Sequence, residues 1–96
     1  MYSVFALNKS DRALVEELLS DDVIGRQTII QKDGDSLGYE NKLILVVEGA
    51  DAAVTAADKI LSGKVEKLSA EKGNAVYNRI KEDEKNADSG MGFLFG

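Results

Sequence analysis

Leu43–Leu61, LILVVEGADAAVTAADKIL, decides the fold. Leu43-Ile44-Leu45-Val46-Val47 is an unbroken apolar run of strand length, so this strand expects cover on both faces. Glu48-Gly49-Ala50-Asp51 interrupts the run. Gly49 permits a backbone turn that a residue with a side chain resists, and Asp51 is placed to cap the following helix. From Ala52 the period becomes helical. Ala53, Val54, Ala57, Ile60 and Leu61 share one face, with Thr55, Asp58, Lys59 and Ser62 opposite. Gly63 follows where a left-handed residue ends a helix at little cost.

Upstream, Tyr2–Leu7 (YSVFAL) reads as a first strand, with Tyr2, Val4 and Ala6 on one face and Ser3, Phe5 and Leu7 on the other. Ser10 is the expected cap of a first helix running to about Ser20, with Leu14, Val15, Leu18 and Leu19 as its apolar stripe. Val23–Gln31 reads as a second strand whose polar middle suits a sheet edge. Asp33-Gly34 is a tight-turn signal, followed by a polar loop to Lys42. Downstream come a short strand, Val65–Leu68, and a helix from Asn74 or Ala75 to Lys85. Its stripe is Val76, Tyr77 and Ile80, and Gly73 disfavours an earlier start.

This order is β-α-β-β-α-β plus a C-terminal helix. It predicts an α+β, ferredoxin-like split βαβ domain with an antiparallel four-stranded sheet and strands one and three central. Residues 1–85 form a single domain on this reading, and 86–96 a Gly-containing hydrophobic tail. Helices on one face would leave the other bare, yet Phe5, Leu7, Ile44 and Val46 keep strands one and three apolar on both faces. Something must cover the second face: the third helix with its tail, or another copy of the chain. Phe5, Leu7, Ile44 and Val46, with Phe93-Leu94-Phe95 of the tail, are therefore the candidate self-association residues, and a homo-oligomer, with a dimer favoured, is expected.

Composition narrows the function. Ninety-six residues at 44% hydrophobic and 30% charged make one globular domain. The net charge of -5 argues against nucleic acid and anionic membranes as partners. With no Cys and no His, the chain lacks disulfides, thiolate nucleophiles, the commonest general base and the commonest metal ligand. No apolar stretch is long enough to span a membrane and no signal-peptide pattern stands at the N-terminus, so a cytoplasmic location is expected.

Few motifs carry chemistry. Asp33-Gly34-Asp35-Ser36-Leu37-Gly38 begins like a calcium loop but has Leu37 and Ile44 where oxygen ligands are needed. Glu48 and Asp51 would repel a phosphate at the turn before the second helix. Glu16-Glu17, Asp21-Asp22 and Glu82-Asp83-Glu84 are sequence neighbours on solvated helix ends, unlike carboxylates held apart in a catalytic pocket. An RNA-binding sheet would need more central aromatics than Phe5 and Tyr2, in a basic surround. No catalytic residue, cofactor or metal site is assigned. Tyr39 remains as a possible ligand-contacting residue, because loops over a sheet carry function more often than cores do.

Val46-Val47-Glu48-Gly49-Ala50-Asp51-Ala52-Ala53-Val54-Thr55-Ala56-Ala57 resembles the strand-to-helix stretch of bacterial microcompartment shell domains. That resemblance implies a self-associating α/β domain. Asp35-Ser36-Leu37-Gly38 differs from that family's glycine-serine pore loop. Three functions follow in order: a non-enzymatic self-associating structural or assembly module, a small-molecule-binding regulatory domain, and a small dimeric α+β-barrel enzyme.

Overall fold

The computed structural model describes the backbone of residues 1–95 and the side chains of residues 1–84. The elements are β1 (Tyr2–Asn8), α1 (Arg12–Ser20), β2 (Thr28–Asp33), β3 (Lys42–Glu48), α2 (Asp51–Leu61), β4 (Glu66–Lys67) and α3 (Ala70–Phe95). The protein is α+β, with an antiparallel four-stranded sheet in the order β2-β3-β1-β4. The two strands that read as apolar on both faces, β1 and β3, are the central pair. They run side by side from Tyr2 opposite Glu48 to Asn8 opposite Lys42.

Alternation along these strands feeds two cores. Phe5, Leu7, Leu43, Leu45 and Val47 face α1 and α2, where Val15, Leu18, Val54, Ala57 and Leu61 meet them. Val4, Ala6, Ile44 and Val46 face the other way, under Val76 and Ile80 of α3. The third helix therefore covers the second face. This corrects the assignment of Phe5, Leu7, Ile44 and Val46 as self-association residues: their exposures are 1%, 1%, 0% and 0% within the single chain, so no side-chain surface is left for a second copy. Burying Ile44 and Val46 here stabilises the fold by about 1.5–3 kcal/mol each before ordering costs. Phe93, Leu94 and Phe95 lie outside the described side chains.

Several boundaries move for identifiable reasons. Val23–Arg26 is not strand: the Asp21 carboxylate accepts hydrogen bonds from the Val23 and Ile24 amides, both at 2.9 Å, and bends Ile24–Arg26 into a 3-10 turn. Ser10 does not cap α1, because Lys9–Asp11 form a 3-10 turn and Asp11 holds the cap position. Leu19, expected in the apolar stripe of α1, is 45% exposed. Asp51 is the first residue of α2 rather than its cap, a position taken by Ala50. The Ala50 amide instead donates to the Gln27 Oε1 atom at 3.1 Å, which ties the start of α2 to the turn before β2.

The third helix starts at Ala70, earlier than Gly73 suggested. Ser69 caps it, its hydroxyl accepting from the Lys72 amide at 3.3 Å. Gly73 falls directly over β1: a Cβ there would sit 3.5 Å from Val4 Cβ and Cγ2. The expected stop at Gly63 is present, with a left-handed φ of 76°. Among the described residues, no helix is long and apolar enough to cross a membrane.

Candidate functional site

The loop from β2 to β3 is fixed by its own side chains. Asp33 Oδ1 accepts from the Asp35 amide at 3.0 Å, Asp35 Oδ1 accepts from the Asn41 amide at 2.8 Å, and the Ser36 hydroxyl donates to the Asp33 carbonyl at 3.2 Å. That first bond, with Lys9 alongside, holds the Asp33 carboxyl below its ordinary pKa of 3.8. The backbone closes as well, since the Tyr39 amide donates to the Gly34 carbonyl at 2.8 Å. Gly34 is needed here: a Cβ would lie 2.5 Å from the Tyr39 carbonyl oxygen and 2.8 Å from that of Lys42. The result places Leu37 and Tyr39 on the α3 side of the sheet, both packed against the Ile44–Val46–Val76–Ile80 core.

Opposite them, α3 presents Lys72, Ala75, Val76 and Arg79, spaced to share one helix face. Between loop and helix lies a groove of about 290 Å³, lined by Leu37, Tyr39, Lys72, Ala75, Val76 and Arg79. That is near the lower bound of roughly 300 Å³ for small-molecule pockets. Its floor is apolar, with one tyrosine on its wall and two exposed cations at its rim. The Arg79 guanidinium is 3.6 Å from Asp83 across an exposed helix turn, a pairing weak enough to yield to a ligand. Such a lining can bind and orient an anion that carries an apolar body. It contains no carboxylate, histidine or thiol to act as a base or nucleophile.

Two other hollows are less suited to this. One, of about 280 Å³, is lined by Lys9, Arg12, Gln31, Lys32, Asp33 and Leu43. There Lys9 already lies 3.6 Å from Asp33 and 3.7 Å from Asp35, and Asp33 repels an incoming anion. The other, of about 260 Å³ between α2 and β4, has Asp58 and Lys67 paired at 2.9 Å beside Phe5, Leu61 and Val65. Among the described residues no group of three or more His, Cys, Asp or Glu could hold a metal ion.

The remaining tyrosines fasten α3 at the far end of β1 and β3. Tyr2 and Tyr77 stack with centroids 4.1 Å apart and planes 11° apart. The Tyr2 hydroxyl donates to Asn74 Oδ1 at 2.8 Å, and the Tyr77 hydroxyl donates to Glu48. Lys81 lies 3.7 Å from Glu48 and 5.4 Å from the Tyr77 ring centroid. A hydrogen bond to Glu48, together with burial and the nearby carboxylate charge, pushes the Tyr77 hydroxyl up to about 12.

Of the residues lining this groove, the sequence reading singled out Tyr39 and not Leu37, Lys72 or Arg79. The signal available was the Lys72, Ala75, Val76, Arg79 spacing, visible only once the helix is allowed to begin before Gly73. No protein-family model, curated protein or solved structure matches this chain, so the site rests on its own geometry.

Proposed function

We propose that this chain is a small-molecule-binding regulatory module, without catalytic activity, whose groove beside Tyr39 takes a small organic anion. The observation that carries this reading is the placement of Tyr39 across an apolar floor from Lys72 and Arg79. A carboxylate would meet the two cations at the rim while its hydrocarbon part displaces water from Leu37 and Val76. The fold behind it is read as a ferredoxin-like split βαβ with an added helix. The sheet order β2-β3-β1-β4 and the packing of α1 and α2 against one shared core support that reading. A cytoplasmic location is part of the proposal.

The test is thermal denaturation with benzoate and hexanoate, using benzyl alcohol and hexanol as neutral controls. Binding to the folded state raises stability by RT ln(1 + [L]/Kd), about 2.7 kcal/mol at a hundredfold excess over Kd. The carboxylates should raise Tm, and the double variant Lys72→Glu, Arg79→Glu should abolish the rise. A rise untouched by that variant, or none with either acid, rejects the groove as the site.

Self-association is the second reading, and one observation favours it: β2 is an outer strand of six residues with an unpaired edge. Val46–Ala57, which carries the likeness to shell domains, forms the end of β3, the Gly49 turn and the start of α2. Its small residues Ala53 and Ala57 are buried, Ala57 in the core shared with β1 and β3, so the likeness bears on the fold plan more than on an assembly surface.

A further inference from the structure

We infer that the free edge of β2 pairs antiparallel with β2 of a second copy, joining the two four-stranded sheets into one. The inference rests on the self-association reading and gives it a surface. It is independent of any ligand in the groove.

The two edges of the sheet are unlike. At one, β4 contributes only Glu66 and Lys67, too short to template another strand. At the other, β2 pairs with β3 in continuous register from Thr28 opposite Glu48 to Asp33 opposite Leu43, with no bulge, and the chain contains no proline. A regular six-residue edge of this kind leaves alternate N–H and C=O groups turned outward, ready for a ladder.

Both cores also run out to this edge. Ile29 packs on the cluster shared with α1 and α2, Ile30 on the cluster under α3, and each is only part-buried. An added strand would cover both isoleucines at once, one on each face of the extended sheet.

Charge selects the occupant and its direction. Arg26 is exposed just before β2, and Asp33 and Asp35 are exposed at its far end. Antiparallel pairing about a two-fold axis through Gln31, which sets Gln31 opposite its own copy, brings Arg26 near the partner's Asp35, and symmetry repeats the contact. Parallel pairing would set like charges together. The edge is thus complementary to itself, as a two-fold dimer requires.

The chain has no cysteine, so one engineered cysteine is its sole thiol. Light scattering of the native protein should give twice the 10.4 kDa chain mass. Gln31→Cys, near the axis, should oxidise to a covalent dimer at least about tenfold faster than Lys59→Cys or Glu71→Cys on the helices, because pairing raises the effective thiol concentration. Arg26→Glu, an exposed change, should weaken the dimer dissociation constant by about tenfold at low salt. A monomer at every concentration overturns both the edge and the self-association reading. A dimer in which the helix cysteines cross-link as fast as Gln31→Cys overturns the edge alone.

Discussion

Tyr77, one turn before the buried Ile80 on α3, donates its hydroxyl proton to Glu48 at the end of β3 and stacks on Tyr2 of β1. The contact joins the late helix to both central strands. It also gives the fold a titration mark, because the Tyr77 hydroxyl is raised from 10.0 to about 12. A raised folded pKa means that the contribution is fully present below about 10 and lost as pH rises through about 12. Ultraviolet titration of tyrosinate should show a late component that Tyr77→Phe removes and Glu48→Gln moves toward 10.0. A titration unchanged by either substitution contradicts the contact.

Gly73 lies against Val4, yet a methyl group there meets only ordinary van der Waals distances of 3.5 Å. Gly73→Ala removes backbone freedom from the unfolded chain without a clash. It should stabilise the protein by roughly 0.5–1 kcal/mol in urea denaturation. Gly73→Leu has no such room and should destabilise by roughly 1–3 kcal/mol. Equal effects from both would mean that α3 does not sit this close to β1.

Gly49 is different. Its φ is 156°, and a Cβ would fall 2.0 Å from Gln27 Oε1, the atom that accepts from the Ala50 amide. Gly49→Ala should cost roughly 1–3 kcal/mol from backbone strain and the displaced hydrogen bond. Truncating Gln27 to Ala in the same chain removes the two closest contacts but leaves its Cβ at 3.2 Å and the strained φ, so stability should recover only partly. Full recovery would assign the whole cost to the side chain.

The parts of the fold legible in the sequence were those where one local pattern decides. The apolar runs at Val4–Leu7 and Leu43–Val47 gave the central strands, and the spacing of Val54, Ala57 and Leu61 gave the buried face of α2. Misreadings arose where a side chain overrode local propensity. Asp21 draws the Val23 and Ile24 amides into a turn although both residues favour strands, and the Ser69 cap starts α3 ahead of Gly73. The Tyr39 groove was half legible, since Lys72 and Arg79 are remote from Tyr39 in sequence and meet it only because α3 returns across β1 and β3. The two-sided apolar character of β1 and β3 correctly demanded a second cover. It could not by itself distinguish a helix of the same chain from another copy.

That choice leads to the last prediction. Val76 and Ile80 are the α3 residues buried over Val4, Ala6, Ile44 and Val46, at 5% and 1% exposure. Replacing both with Asp places two charges where no cation among the described residues is buried to meet them, at a cost of several kcal/mol for each. The core shared by β1, β3, α1 and α2 contains neither residue and keeps its own packing. The variant should therefore release α3 while retaining much of its sheet signal in circular dichroism. The bared Ile44–Val46 face should then bind a hydrophobic dye and drive assembly into species larger than the parent protein. Complete unfolding would show that the two cores form one cooperative unit. An unchanged size with no dye binding would show that the second face is not covered by α3 through Val76 and Ile80.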